Sequence, residues 1–352
     1  MVTLETGMTS LLSVQDLSVY FHSADQYLEL VRSTSFTMER GEILALVGES
    51  GSGKTITARA VMGLLRRNAR MKVEGKILLL GNDLLALPES QMRAARGRDL
   101  AMIFQDPVGA LDPVVSIGDQ VREAVLRRGQ SSRRETHKRI LELLDQVGIT
   151  GPELRMKQFP HEMSGGMCQR VLIAIALAGD PKLLIADEAT TALDVTIQAQ
   201  VLELLKRLRD ERGMSVLLIT HDMGVAAQTA DRIIVMYGGS VVEEGLIKDF
   251  FAHPYHPYSA GLISAVPRVD VPRVRRLASI PGSVPEAANR PNGCPFHPRC
   301  PIAVDTCSTN VPALRVVGGQ AVACDRAELV KEGIVLPWAD HATTVESKRP
   351  VG

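Results

Sequence analysis

The segment GESGSGKT, Gly48 to Thr55, constrains the fold of this chain more than any other. It follows the apolar, strand-like run EILALVG and precedes TITARAVMGLL, which has helical periodicity. In such a strand-loop-helix unit, glycines let backbone N–H groups converge on phosphate oxygens, the lysine brings positive charge to the β- and γ-phosphates, and the hydroxyl residue binds Mg²⁺. The flanking strand and helix favour a phosphate loop over a plain glycine turn. The predicted nucleotide-binding residues of this loop are Gly48, Ser50, Gly51, Gly53, Lys54 and Thr55.

Apolar, β-rich runs alternate with helix-periodic segments from about Leu12 to about Gly245. This alternation predicts an α/β fold with a largely parallel sheet. Two other runs, Ser13 to Phe21 and Ser35 to Arg40, alternate polar and apolar residues as half-exposed antiparallel strands do, and they predict a small side sheet. The runs predicted for the parallel sheet are Glu42 to Gly48, Leu100 to Asp106, Lys182 to Glu188, Ser215 to Asp222 and Arg232 to Gly239.

Two adjacent carboxylates end one of these runs, LLIADE. Asp187 is predicted to complete the Mg²⁺ shell, and Glu188 is predicted to polarise the water that attacks the terminal phosphate. The pair is a weak signal by itself, but it becomes a strong one when a phosphate loop lies upstream. Together the two elements predict nucleotide hydrolysis.

The charge balance and the apolar runs exclude several classes of protein. Forty basic residues balance forty acidic ones, so no excess of positive charge favours binding to nucleic acid. The longest apolar run, Val171 to Ala178, is far shorter than the ~20 residues of a membrane-crossing helix. The opening MVTLETGMTS lacks the pattern of an export signal. We therefore expect a soluble cytosolic chain whose 352 residues form one large domain and a smaller appendage, or two domains of ordinary size.

Four of the five cysteines lie near the end of the chain with the spacing C-x5-C-x6-C-x16-C. In a reducing compartment such a cluster favours metal binding or redox chemistry over disulfides. Structural zinc sites usually pair cysteines two to four residues apart, whereas four thiolates on irregular loops suit a [4Fe–4S] cluster. The residues alone leave an iron–sulfur cluster, Zn²⁺ or unligated thiols as alternatives. The candidate ligands are Cys294, Cys300, Cys307 and Cys324.

The segment MSGGMCQRVLIAIAL, Met163 to Leu177, resembles the signature motif of ABC ATPases. The resemblance implies that Ser164, Gly165 and Gly166 meet a γ-phosphate held by the phosphate loop of a partner subunit, with a helix N-terminus behind them. Two such domains would then close head to tail around two ATP molecules.

The other ABC elements follow in order along the chain. Gln105 resembles the Q-loop glutamine that contacts Mg²⁺, and His221 resembles the switch histidine that touches the γ-phosphate. The segment TALD, Thr191 to Asp194, resembles the D-loop. Phe21, beside Tyr20, sits where the family places an aromatic ring against adenine. The family thus implies Glu188 and His221 as catalytic residues, Thr55, Gln105 and Asp187 as Mg²⁺ ligands, and Phe21, Gln105 and Asp194 as ATP contacts.

Four further segments are similar to the ATP-binding subunits of dipeptide and oligopeptide ABC importers, over about residues 12 to 325. This branch implies a second ATPase subunit, two transmembrane permease subunits, an extracytoplasmic substrate-binding protein and no nucleic acid. It also implies a [4Fe–4S] cluster on the four cysteines and a peripheral place on the cytoplasmic face of the membrane. The segments are FQDPVGALDPVVSIGDQ, FPHEMSGGM, HPYHPYSAGLISAVP and CPFHPRCP.

The resemblance also predicts how the chain is divided. We expect an ABC ATPase domain over residues 1–245, with a helical subdomain at about 107–180 that includes the amphipathic segment Arg133 to Gly148. A linker or helical extension over 246–290, a Cys-rich metal-binding module over 291–330 and a flexible tail over 331–352 are expected to follow.

Two residues depart from the branch pattern, and several alternatives stay open. Cys168 replaces an arginine, and Ala189 replaces the proline that follows the catalytic glutamate. An importer of nickel or another solute, a non-transport ABC ATPase of the DNA-repair or translation type, and a catalytically silent subunit are the alternatives. The single cassette and the short helical insert favour the importer.

Overall fold

The computed structural model of the chain describes residues 10–23, 26–127, 129, 132–189, 194–266 and 279–331. The strands within these ranges are β1 Leu12–Ser23, β2 Gln26–Met38, β3 Ile43–Val47, β4 Met71–Leu79, β5 Asn82–Asp83, β6 Leu100–Ile103, β7 Leu183–Asp187, β8 Ser215–Thr220, β9 Arg232–Tyr237, β10 Ser240–Leu246, β11 Arg315–Val317 and β12 Gln320–Val322. The α-helices are α1 Lys54–Val61, α2 Glu89–Arg98, α3 Ile117–Leu126, α4 Arg133–Gln146, α5 Pro152–Arg155, α6 Gly165–Leu177, α7 Val195–Arg212, α8 Met223–Thr229, α9 Ile247–Ala252, α10 Pro257–Ser264 and α11 Ala327–Lys331.

Two sheets form the framework of the fold. A four-stranded sheet has the order β2-β1-β4-β5, and an eight-stranded sheet has the order β11-β12-β10-β9-β3-β8-β7-β6. Strands β9, β3, β8, β7 and β6 pair in parallel, which confirms the predicted α/β core. Strands β1 and β2 pair antiparallel in the smaller sheet, which confirms the predicted side sheet.

The parallel strands are buried on both faces, as their continuous apolar sequences require. Side chains of β3 alternate between two hydrophobic cores: Ile43, Ala45 and Val47 enter one, and Leu44 and Leu46 enter the other. The first core also takes the apolar sides of α3, α4 and α6, while the second takes those of β1 and α1. The phosphate loop therefore leaves the sheet from a strand that packing fixes on both faces.

The charge-rich stretch before the signature segment is helical, as predicted. Helix α4 begins at a capping box in which Ser132 and Glu135 satisfy each other's backbone N–H groups. Its apolar side buries Ile140, Leu143 and Leu144. Among all helices in the described ranges, none is long and apolar enough to cross a bilayer.

The proline-punctuated end of the chain adds strands to the main sheet. β10 pairs antiparallel with β9 and β12, and β12 pairs with β11. Tyr255, Val317 and Val322 pack with Ala327 in a small separate core. No pattern in the sequence indicates the β11–β12 hairpin, because three-residue strands are too short to show periodicity. The predicted tail from residue 332 onward lies outside the described residues.

Candidate nucleotide-binding site

The phosphate loop fills the turn between β3 and α1. Gly51 and Gly53 adopt φ angles of 82° and 101°, which favour glycine because it has no Cβ. A Cβ on Gly48 would lie 2.3 Å from the carbonyl oxygen of Met236, so no side chain fits there. Ser50 and Gly51 are exposed at the tip of the loop. The glycines that the motif prescribes are thus required by the backbone geometry of this loop.

Lys54 is buried and bonded to the loop that precedes it. Its Nζ donates to the carbonyl oxygens of Gly48 at 2.8 Å and Glu49 at 3.0 Å. Burial lowers the pKa of Lys54, although the charges of Glu188, Asp187 and Glu49 oppose that shift. The ammonium group therefore has oxygen partners within the loop that phosphate oxygens can replace.

Two of the three residues predicted to bind Mg²⁺, Thr55 and Asp187, are in contact. Thr55 Oγ1 donates to Asp187 Oδ1 at 3.0 Å, although the residues lie 132 positions apart in the sequence. Burial raises the pKa of Asp187, and the hydrogen bond from Thr55 opposes the shift. A hydroxyl and a carboxylate side by side offer the hard oxygen ligands that Mg²⁺ prefers.

Gln105, Glu188 and His221 form a second polar group beside this pair. Gln105 Nε2 donates to Glu188 Oε2 at 2.9 Å, and His221 Nδ1 lies 3.3 Å from Glu188 Oε1. The backbone of Glu188 has φ 48°, a left-handed conformation that is uncommon outside glycine and clusters at functional sites. The structure thus brings both predicted catalytic residues together with Gln105, whose role as a Mg²⁺ ligand stays a prediction.

The signature segment begins helix α6. Ser164 caps the helix by accepting a hydrogen bond from the N–H of Met167 at 3.3 Å. Ser164 and Gly165 are exposed, and a Cβ on Gly165 would meet no atom within 4 Å. On Gly166, a Cβ would instead lie 2.7 Å from Ile197 Cγ2. The first turn of α6 is therefore open on one side and closely packed on the other.

Two other predicted ATP contacts have defined places in the fold. Asp194 caps helix α7 by accepting from the N–H of Ile197 at 2.9 Å; the rest of the predicted D-loop, 191–193, lies outside the described residues. Phe21 is half-buried on β1, and the neighbouring Tyr20 ring has Lys72 Nζ at 5.8 Å from its centroid. Stacking of adenine on Phe21 stays a prediction.

Both departures from the branch pattern are buried. Cys168 is 0% exposed, its Sγ lies 3.6 Å from the carbonyl oxygen of Pro160, and burial raises its pKa. A thiol fits this apolar place on α6. Ala189 is 4% exposed and packs in the core directly after Glu188.

The four C-terminal cysteines line one small cavity. Its volume is about 20 Å³, enough for about one water molecule. Burial raises the pKa of Cys300 to about 12 and that of Cys324 to about 11. Across the described ranges, no group of three or more His, Cys, Asp or Glu side chains is arranged to hold a metal ion. The iron–sulfur cluster therefore stays a prediction.

Two residues absent from the predicted site contact the phosphate loop from the far end of the sequence. Arg299 bonds the carboxylate of Glu49, and the Tyr258 hydroxyl accepts from the backbone N–H of Glu49. Both lie in segments that carry the importer resemblance, HPYHPY and CPFHPRCP. The motifs identify these segments as part of the importer resemblance. Their positions in the sequence, however, do not indicate that they contact the phosphate loop.

Comparison with known proteins assigns a family to this arrangement. A family model described as ABC transporter matches residues 31–191, and one described as Oligopeptide/dipeptide transporter, C-terminal region, matches residues 242–307. A putative peptide import ATP-binding protein of Brucella abortus is 48% identical over 324 residues, which cover 92% of this chain and 97% of that protein. The chain belongs to the ATP-binding subunits of ABC transporters. This confirms the resemblance seen in the sequence.

Other relatives of this ABC subunit agree with the assignment. The oligopeptide transport ATP-binding protein OppD of Mycobacterium tuberculosis is 48% identical over 325 residues, and the chain spans about half of it, 53%. The dipeptide transport ATP-binding protein DppD of Bacillus subtilis is 47% identical over 318 residues, which cover 90% of this chain and 93% of that one. A solved structure, a dimeric bacterial ABC transporter cassette, is 28% identical to this chain and superposes with a TM-score of 0.60. The match covers 67% of this chain and 98% of the cassette. The fold is therefore that of a P-loop ABC ATPase.

Proposed function

We propose that this chain hydrolyses ATP to energise the import of dipeptides or oligopeptides through separate membrane subunits, from the cytoplasmic face of the membrane. The observation that carries the proposal is the convergence of Thr55–Asp187 and Gln105–Glu188–His221 beside the phosphate loop. The match of residues 242–307 to the oligopeptide/dipeptide transporter region favours import over a non-transport ABC ATPase.

The residues of the site have separate parts in hydrolysis. Mg²⁺, which neutralises charge on the phosphate oxygens when bound, would be held by Thr55, Asp187 and Gln105. Lys54 exchanges its two loop carbonyls for phosphate oxygens. Glu188 orients the attacking water and accepts its proton, and His221 holds the Glu188 carboxylate in place.

A second ATPase subunit completes each active site in this proposal. Ser164 and Gly165 are exposed at the start of α6, where helix N–H groups can meet the γ-phosphate of ATP bound to a facing subunit. The solved cassette that resembles this chain is a dimer. Asp194, at the start of α7, belongs to the same face. Two permease subunits and an extracytoplasmic binding protein complete the proposed transporter.

The proposed division of the chain is an ATPase domain to residue 245, with its helical subdomain at about 107–180, a connecting segment to 290, and a Cys-rich module over 291–330. The paired strands β10 and β12 join this module to the ATPase sheet. Residues 331–352 form the proposed tail.

We also propose a [4Fe–4S] cluster on the C-terminal cysteines, with Zn²⁺ as the alternative. Four thiols around one cavity are the donor set that such a cluster takes. The cavity is small, so binding requires the cysteine loops to move apart. Anaerobic purification tests this: a brown protein with iron, acid-labile sulfide and absorbance near 400 nm supports the cluster, and a colourless, iron-free preparation excludes it.

The transport function is tested in the complete complex. The chain is co-expressed with its permease and ATPase partners and reconstituted in vesicles with the binding protein. We expect ATP-dependent uptake of labelled peptide, and loss of that uptake in a Glu188→Gln variant. Uptake of another solute in place of peptide, or ATP hydrolysis without any associated membrane subunits, would overturn the peptide assignment.

A further inference from the structure

We propose that Arg299 and Tyr258 are positioning residues of the phosphate loop: acting through Glu49, they hold the loop in the conformation that receives ATP. The inference rests on the proposed ATP-binding function and adds the C-terminal region to that site. It makes nucleotide affinity depend on residues more than 200 positions downstream of the loop.

The side chain of Glu49 is held by a two-pronged ion pair. Arg299 donates from its two terminal nitrogens to Glu49 Oε2 at 2.6 Å and Oε1 at 3.1 Å. The Arg299 side chain is 6% exposed and that of Glu49 is 33% exposed. Paired hydrogen bonds between a guanidinium and a carboxylate fix orientation as well as distance, so this contact sets the direction in which Glu49 leaves the loop.

Arg299 is itself held rigidly. Its Nε donates to the carbonyl oxygen of Pro281 at 2.7 Å, and its other nitrogens also reach the carbonyls of Ile280 and Gly282 and the hydroxyl of Tyr237. The guanidinium carbon lies 5.7 Å from the centroid of the Tyr237 ring. An arginine with so many fixed partners cannot swing with a mobile loop, so it acts as an anchor for Glu49.

Tyr258 holds the backbone of the same residue. Its hydroxyl accepts from the Glu49 N–H at 2.8 Å. The Tyr258 ring packs against Tyr237 with centroids 4.7 Å apart and against Phe296 at 5.4 Å. This aromatic cluster brings together strand β9, helix α10 and the segment between Cys294 and Cys300, next to the phosphate loop.

Glu49 is thus contacted at its N–H, its side chain and its carbonyl oxygen. The carbonyl accepts from Lys54 Nζ at 3.0 Å. Releasing Glu49 from Arg299 or Tyr258 therefore moves both the loop backbone and the lysine that must face the phosphates. We expect weaker ATP binding, whereas the hydrolysis rate at saturating ATP should change little because Glu188 and His221 are not touched.

The test measures the Kd of the full chain for a fluorescent ribose-labelled ATP analogue with Mg²⁺. Glu49→Gln and Arg299→Gln should each raise Kd about tenfold, the size expected for one charge-assisted hydrogen-bonded contact. The double variant should be no weaker than either single variant, because both remove the same interaction. Tyr258→Phe, which deletes only a hydroxyl, should raise Kd about threefold.

Arg315→Gln is the matched control. It breaks an ion pair with Glu328 and a hydrogen bond to the carbonyl oxygen of Cys324 in the same C-terminal region; neither contact touches the phosphate loop, so Kd should stay within about twofold of the wild type. Melting temperatures identify variants that fold; Glu49→Gln and Tyr258→Phe are the conservative members of the set. If both folded variants bind the analogue with unchanged Kd, the inference about Arg299 and Tyr258 is wrong, whereas the proposed ATP-binding function is not affected. Failure of the wild-type chain itself to bind the analogue would overturn the proposed function as well.

Discussion

The phosphate loop and the signature segment are both glycine-rich loops at helix N-termini, yet the fold holds them in opposite ways. The phosphate loop is fixed from distant parts of the chain: Gly48 abuts Met236, and Glu49 is held by Tyr258 and Arg299. The signature segment is held by its own helix cap at Ser164 and by the packing of Gly166 against Ile197, and it leaves Ser164 and Gly165 exposed.

This difference matches the part that we propose for each loop. A loop that wraps phosphates within its own chain gains affinity when it is organised before the ligand arrives. A loop that meets ATP on another subunit has to be exposed until the two subunits close. A glycine-rich loop at a helix N-terminus can therefore be anchored by buried contacts, as the phosphate loop is, or be left exposed, as the signature segment is.

The largest expected effect is on the rate of ATP hydrolysis, and it does not involve the contacts that anchor either loop. Glu188→Gln removes the carboxylate that we propose accepts the proton of the attacking water, but leaves the hydrogen bonds of both loops intact. ATP hydrolysis by the assembled transporter should fall by about 10²–10⁴-fold, the usual contribution of a general base, while Kd for ATP stays near the wild-type value. A Glu188→Asp variant serves as a control that keeps the charge. Undiminished hydrolysis in the Gln variant would mean that the partner subunit carries catalysis.

A pair of matched glycine substitutions tests the contrast itself. Gly48→Ala puts a Cβ 2.3 Å from a backbone oxygen and should destabilise the chain by about 3 kcal/mol, the upper range for overpacking. Gly165→Ala meets open space and should leave the stability of the isolated chain unchanged or slightly higher.

Urea unfolding of the two variants and ATP hydrolysis in the complex are the measurements. We expect Gly165→Ala to impair only hydrolysis in the complex, because its methyl group would occupy the surface that we propose meets the partner's nucleotide. Equal losses of stability in the two variants would remove the distinction between the loops.

The anchoring of the C-terminal region predicts a dependence of stability on pH. Glu243 is fully buried and accepts from the N–H groups of Tyr255 and His256 at 2.7 and 2.9 Å. Burial raises its pKa from 4.5 to about 7. The native state therefore keeps a proton that the unfolded state loses, and stability falls as pH rises between these two values.

Glu243→Gln removes that fall. We expect the difference in the free energy of unfolding, wild type minus variant, to decrease by at most about 1.4 kcal/mol per pH unit over this window. Urea unfolding at pH 5, 6 and 7 measures it. Burial lowers the pKa of His256 to about 3, which gives an opposite slope, but that slope is present in both proteins and cancels in the difference. Parallel pH profiles would show that Glu243 does not titrate in this range.

The smallest effect concerns the local anchor of the signature segment. Ser164→Ala removes the side chain that accepts from the Met167 N–H and should cost the isolated chain about 1 kcal/mol, a typical value for an N-cap. Ser164→Asn, which retains capping ability, is the control for stability. A loss of several kcal/mol in the Ala variant would show that this segment is anchored more widely than the contacts of Ser164 indicate.

The sequence was most informative where a function needs neighbouring residues. The phosphate loop, the paired carboxylates and the strands that present them all follow from local patterns, since each strand is an apolar run that ends at a polar site. The contact between Thr55 and Asp187 also follows, because parallel strands of one sheet deliver their carboxyl ends to the same edge, and only β8 separates β3 from β7.

The contacts of Glu49 did not follow from sequence, because they join residues 250 positions apart through an irregular segment that has no periodicity. The left-handed backbone at Glu188 was equally hidden. The Glu188 N–H donates to the carbonyl oxygen of Ile219 and the next residue, Ala189, is buried, but residue type gives no signal of a positive φ here. Long-range anchoring and local strain are the two properties that only the folded chain reveals.

The short β11–β12 hairpin is also expected to limit self-association of the protein. By pairing with Glu243 and Glu244 of β10, it covers backbone hydrogen-bonding groups that would otherwise face solvent along a sheet border. A chain cut before Arg315 would expose that border, and unpaired borders of this kind recruit strands from neighbouring molecules. Removing the residues from Arg315 onward is therefore expected to cause aggregation.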